Sequence, residues 1–79
     1  MNYRLLYFAS LADRAGCATE SVESQTTDLS VLYAEVARRH GFSFGTERLR
    51  VAVGDRIVDW NHVLNDGDEI VFLPPVSGG

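Results

Sequence analysis

Residues 69–79 read Glu69-Ile70-Val71-Phe72-Leu73-Pro74-Pro75-Val76-Ser77-Gly78-Gly79. The first five are apolar on both alternate faces, Ile70 and Phe72 against Val71 and Leu73, which predicts a strand with both sides covered. Pro74-Pro75 ends it, because proline has no N–H to give to a ladder. Upstream, Asn65-Asp66-Gly67-Asp68 is a turn signal. Further back, Leu49, Val51 and Val53 alternate with Arg48, Arg50 and Ala52, a half-buried strand. Gly54-Asp55 then turns the chain into a short return strand over residues 56–59.

The amino-terminal half supplies the rest of the sheet and its cover. Residues 3–8 again form an apolar run, with Tyr3, Leu5 and Tyr7 on one face and Leu6 and Phe8 on the other. Residues 18–24 alternate more weakly and carry Thr19, Ser21 and Glu23, the pattern of an edge strand; residues 13–16 read as the turn between the two. Thr26-Thr27-Asp28 opens a helix with Asp28 as N-cap. Leu29, Leu32, Tyr33 and Val36 form its apolar stripe. Arg38, Arg39 and His40 meet the negative end of the helix dipole, and Gly41 is the C′ residue. His40 is thus a helix terminator rather than a ligand, and His62 has no partner at metal-ligand spacing. No metal site is expected.

The order is strand, strand, helix, strand, short strand, strand. It predicts an α+β fold, a β-grasp (ubiquitin-like) roll whose mixed sheet carries one main helix on one face. Residues 1–73 make the domain, and residues 74–79 a flexible C-terminal tail ending in Gly-Gly. Burying about ten large side chains at roughly 2 kcal/mol each suits a core of this size.

One helix covers one face of a sheet. Leu6, Phe8, Val71 and Leu73 therefore point to a second apolar face, which Ile57 extends, and a face of that kind marks a protein partner. Two alternatives compete with it: residues 42–47 could fold over part of the face, and Ile57 could pack in the core.

Composition narrows the function classes. Cys17 is the only cysteine, so an internal disulfide and a multi-thiolate metal site are excluded; beside Gly16 it reads as a small apolar filler near a turn. The formal net charge is −4, and the seven basic residues are scattered arginines with no lysine. That balance argues against nucleic-acid binding and suits a partner with a basic surface. Met1-Asn2-Tyr3-Arg4 lacks the basic start and apolar run of a secretory signal. No apolar stretch reaches the length of a membrane span, so the expected location is cytoplasmic and away from membranes.

The tail carries the chemistry. Two prolines stiffen its exit from the sheet, Ser77-Gly78-Gly79 has no bulk to hinder threading, and residues 74–79 reach roughly 20 Å when extended, about the depth of an enzyme cleft. The chain resembles the family of small, sulfur-carrying subunits of molybdopterin synthase. Three stretches carry the likeness: Leu6-Tyr7-Phe8-Ala9 with Leu11 and Gly16, then Asp66-Gly67-Asp68-Glu69, and the terminal Leu73-Pro74-Pro75-Val76-Ser77-Gly78-Gly79. Gly54-Asp55 stands where such proteins often carry Asn-Gly, and Trp60-Asn61-His62-Val63 departs from their usual pattern.

The resemblance implies that Gly79 is the modified residue, adenylated and then thiocarboxylated, with Gly78 small enough to enter a partner's active site. Pro74, Pro75, Val76 and Ser77 belong to the same inserted tail, and Phe8, Ile57 and Leu73 match the apolar contact positions. It implies no bound cofactor and no catalytic residue on this chain. The implied partners are the large subunit of molybdopterin synthase, with a heterotetramer as the family's assembly, and an adenylyltransferase of the ubiquitin-activating type that uses ATP. A sulfur carrier for thiamine or another thio-metabolite, a ubiquitin-like protein modifier, and a plain interaction module with a passive tail are the alternatives.

Overall fold

Asp28 starts the main helix as its position in the sequence predicts. Its carboxylate accepts hydrogen bonds from the backbone N–H groups of Ser30 at 2.9 Å and Val31 at 3.3 Å, satisfying donors that have no partner inside a first turn. After twelve helical residues Gly41 closes the helix with φ 74°, its N–H reaching the carbonyl of Ala37 at 2.8 Å. A residue with a Cβ would be strained there. The structure, a computed structural model, describes residues 1–75.

Around this helix the chain runs β1 (Asn2–Tyr7), α1 (Ser10–Ala15), β2 (Thr19–Glu23), α2 (Leu29–His40), β3 (Arg50–Val53), β4 (Arg56–Val58) and β5 (Glu69–Leu73), with a 3-10 turn over Thr46–Arg48 before β3. The five strands lie in the order β2-β1-β5-β3-β4. The two strands with apolar residues on both faces, β1 and β5, pair in parallel at the centre, and every other pairing is antiparallel. This is the mixed sheet with one main helix that the element order predicts, a ubiquitin-like β-grasp.

The inner face packs against α2. Tyr3, Leu5 and Tyr7 of β1, Val51 of β3 and Ile70 and Phe72 of β5 are buried there with Leu29, Leu32, Tyr33 and Val36 of the helix stripe. Phe72 stacks 6.2 Å from both Tyr7 and Trp60, and Tyr33 lies 5.3 Å from Phe72. Just after residues 60–63, where the sequence departs from the pattern of the resemblance, Leu64 closes the underside of this core: its N–H reaches the carbonyl of Thr27 at 2.8 Å, and its side chain is buried.

Two local expectations are corrected. Residues 13–16, read as a turn, are the end of α1 and its cap: Leu11 is buried in the core, and Gly16 terminates the helix at φ 78°. A helix of six residues is too short to show a periodic stripe and forms only on its tertiary contacts. Strand β1 ends at Tyr7 rather than at Phe8, because the chain turns sharply at Ala9 (φ 53°, ψ −125°) into α1.

One polar group lies inside the apolar pattern. Glu20 of β2 alternates in phase with buried Val22 and so faces inward. Its Oε1 accepts from the Tyr7 hydroxyl at 2.7 Å and contacts His40 Nε2 at 2.8 Å, while Arg39 lies 3.7 Å from Oε2. These contacts tie the end of α2 to β1 and to the edge strand. Burial pushes the Glu20 carboxyl up, but the bonds from His40 and Tyr7 and the charge of Arg39 outweigh it and hold the group below the ordinary glutamate range. The Tyr7 phenol is pushed far up by burial and by its bond to Glu20, so it remains a donor.

The sign of the pH effect follows from Glu20. A carboxylate held low in the folded state contributes stability above the unfolded value and loses it as pH falls through the folded value. Thermal melts are expected to show the native chain losing its margin over a Glu20→Gln variant below about pH 4.3, the ordinary glutamate value. At neutral pH the variant is expected to be less stable by about 1–3 kcal/mol, as Tyr7 and His40 lose a charged acceptor.

Candidate functional site

The opposite face of the sheet gives the candidate site. Strand register sets it out in rows. Leu6 pairs with Val71, Val71 with Ala52, and Ala52 with Ile57, a continuous apolar row across β1, β5, β3 and β4. In the next row towards the tail Leu73 pairs with Arg50. The β1–β5 pairing stops at Tyr7 and Phe72, and Phe8 and Leu73 are the residues that follow them in the two chains. On the other side the apolar row is bordered by Arg4 and Glu69, paired at 3.9 Å.

These outer side chains are far more open than their inner neighbours. Ile57 is 58% exposed and Phe8 50% exposed. Leu6, Val71 and Leu73 are half-buried, and only the small Ala52 is buried. The reading of Ile57 as a core residue is excluded by its exposure. The other alternative fails because residues 42–47 pack at the helix side: Phe42 meets Tyr7 edge-on at 5.5 Å, and the Tyr33 hydroxyl donates to the carbonyl of Phe44 at 2.6 Å. Isolated exposed apolar side chains are ordinary; a continuous row of them with a charged border is the composition of a docking surface.

The structure thus places Ile57 at the far end of the apolar row, Leu73 in the next row towards the tail, and Phe8 exposed just past the end of β1. Ala52, at the centre of that row, is a position sequence reading missed. It alternates with valines on a strand flanked by arginines and so looked like a small residue on a solvated side. Leu73 is the last residue of β5, and the half-buried Pro74 and exposed Pro75 follow it. Val76, Ser77, Gly78 and Gly79, singled out above as the tail that carries the chemistry, lie outside the described residues.

Among the described residues no three His, Cys, Asp or Glu side chains gather as a metal site, and no helix is long and apolar enough to cross a membrane. Cys17 is half-buried against the core, and His40 serves Glu20. An open groove of about 480 Å³ lies between α1 and residues 41–44, lined by Leu11, Arg14, Phe42 and Phe44 among others. Arg14 is anchored across it, its Nε donating to the carbonyl of Gly41 at 3.2 Å.

The fold and the face together define a ubiquitin-like β-grasp protein whose sheet presents an apolar surface beside the exit of its C-terminal segment. The chain belongs to the ThiS family, whose model matches residues 5–79. It is 30% identical to the molybdopterin synthase sulfur carrier subunit of Escherichia coli, with 96% of this chain and 98% of that protein covered. Against the sulfur carrier subunit of the same name from Homo sapiens it is 33% identical, with 95% and 91% covered. Among solved structures, the chain from the complex of subunits 1 and 2 of molybdopterin-converting factor of Helicobacter pylori is similar at a TM-score of 0.70 and 28% identity, with 100% of both chains covered. SAMP1 of Haloferax volcanii has the same fold at a TM-score of 0.83 and 24% identity, again over 100% of both chains.

Proposed function

We propose that this chain is a sulfur carrier for molybdopterin synthesis, with the carboxylate of Gly79 as its working group and no catalytic acid or base of its own. The observation that carries the reading is the similarity to molybdopterin synthase sulfur carrier subunits over nearly the whole chain, within a family match that runs to residue 79. Two regions divide the work: residues 1–73 hold the docking face, and residues 74–79 carry the reacting group.

A carboxylate is a poor acyl donor because oxide is a poor leaving group. An adenylyltransferase partner joins the Gly79 carboxylate to AMP from ATP and releases pyrophosphate. The mixed anhydride is electrophilic, a persulfide sulfur displaces AMP, and a thiol frees the resulting acyl persulfide as the thiocarboxylate and leaves as a disulfide. The sulfur is then a soft nucleophile at the end of a narrow segment. Docking of the apolar face on the large synthase subunit carries it into that subunit's active site, where it supplies sulfur for conversion of cyclic pyranopterin monophosphate into molybdopterin. ATP is the activating partner's substrate, and no cofactor is needed on this chain.

Incubation with the adenylyltransferase, ATP and a sulfur donor tests the reading by intact mass. One oxygen replaced by sulfur is the expected result. A ladder of protein conjugates would instead make the chain a modifier, and an unchanged mass would make it a plain interaction module. Assignment to molybdopterin rests on co-purification with a large synthase subunit; a thiazole-forming enzyme in its place would move the carrier to thiamine.

A further inference from the structure

Charge is spread unevenly along the strands of the outer face. At the end away from the tail, Arg4 stands opposite Glu69 and is paired with it at 3.9 Å. Asp66 and Asp68 lie at that same end: Asp66 Oδ1 accepts from the Asn2 N–H at 2.6 Å, and the Arg4 N–H donates to the carbonyl of Asp68 at 3.0 Å. The Gly54-Asp55 turn is there too, the Gly54 N–H donating to the carbonyl of Glu69 at 2.9 Å. At the tail end the balance reverses. Arg50 is the cross-strand partner of Leu73, two residues before Ala52 on the out-facing side of β3. It is exposed, and among the described residues no carboxylate lies within 4.0 Å of its guanidinium. Asp59, the first carboxylate beyond the end of β4, is not paired with it. Arg48, two residues back, lies over the Phe44 ring at 5.3 Å instead.

We propose that Arg50 is a specificity residue of the docking face, paired in the complex with a carboxylate that the large synthase subunit presents beside Leu73. The inference rests on the outer face being the surface that docks on that subunit. A guanidinium bordering an apolar row loses water when the row is covered, and only an acceptor on the partner restores its hydrogen bonds. A partner with an apolar or basic group at that point is penalised, so Arg50 selects as well as attracts. The sign is opposite to the basic partner surface that the net charge of −4 suggests for the chain as a whole. Local charge and total charge therefore predict different outcomes.

The test is the affinity of the full chain for the large subunit of molybdopterin synthase, with Arg50→Glu, Arg50→Leu and, as a control, Arg38→Glu. Arg38 is exposed on α2, the helix that covers the other face, so its reversal changes the net charge as much as Arg50→Glu does and leaves the docking face alone. Arg50→Glu is expected to bind about 30-fold more weakly, because like charges then meet, and Arg50→Leu about tenfold more weakly, because the partner's carboxylate is left unpaired. Arg38→Glu is expected to bind within about threefold of the native chain, and all three to melt close to it, since their positions are open. Tighter or unchanged binding by Arg50→Glu would mean a basic partner surface and overturn the proposal. Tighter or unchanged binding by Arg50→Leu would mean an apolar one, and an equal loss with Arg38→Glu would mean that only total charge matters; each would overturn it too. Failure of the native chain to bind at all would instead overturn the docking partner on which the proposal rests.

Discussion

A chain lacking Gly78 and Gly79 is expected to restore no molybdopterin synthesis to cells without their own carrier, while melting at the native temperature. The expected loss is complete because the truncated chain, under the proposed function, ends in a Ser77 carboxylate that stops about 7 Å short of the place Gly79 reaches and carries a side chain where a glycine is needed. Asp and Glu side chains are equally poor acyl donors, but they are fixed on the domain; threading into a cleft requires a narrow chain end. The stability expectation follows from the core, every member of which lies between Tyr3 and Phe72. Paired measurements therefore separate loss of function from loss of fold. Partial restoration by the truncated chain would mean that the sulfur is carried elsewhere.

The second large effect is expected at the far end of the apolar row. If the apolar row is the docking surface proposed above, Ile57→Glu places a charge where docking displaces water, and burying an unpaired carboxylate is costly. Loss of an apolar contact together with that penalty is expected to weaken binding of the large subunit by about 100-fold, since each 1.4 kcal/mol is tenfold. In the free protein the cost is small. Ile57 is 58% exposed on a three-residue edge strand, and substitutions at such open positions usually fall within about 0.5 kcal/mol. Titration calorimetry against the large subunit, beside a thermal melt, gives both numbers. Unchanged affinity would remove β4 from the interface and confine docking to Phe8, Leu73 and the tail.

The helix was legible because its start, stripe and stop agree at every level: Asp28 caps, the four stripe residues are buried and Gly41 terminates. The outer face was legible for a different reason. Leu6, Val71 and Leu73 occupy the out-facing half of a period-2 pattern that a single helix leaves over. What sequence did not disclose depends on tertiary contact. Helix α1 exists because Leu11 reaches the core, not because six residues favour a helix, and the bend at Ala9 has no signal in an alanine. Glu20 could have been found from its phase with Val22 on β2; its partners Tyr7 and His40 are brought to it only by the fold. The chemistry of Gly79 was never a matter of folding pattern and rests on the family likeness.

The most direct measurement locates the sulfur. Because every basic residue of this chain is an arginine, trypsin divides the charged protein cleanly, giving residues 57–79 after cleavage at Arg56 and residues 15–38 between Arg14 and Arg38. After incubation with the adenylyltransferase, ATP and a sulfur donor, mass spectrometry of the fragments is expected to find one sulfur in place of one oxygen on Gly79, within residues 57–79. Sulfur found instead on Cys17, within residues 15–38, would contradict a carrier that works through its terminal carboxylate.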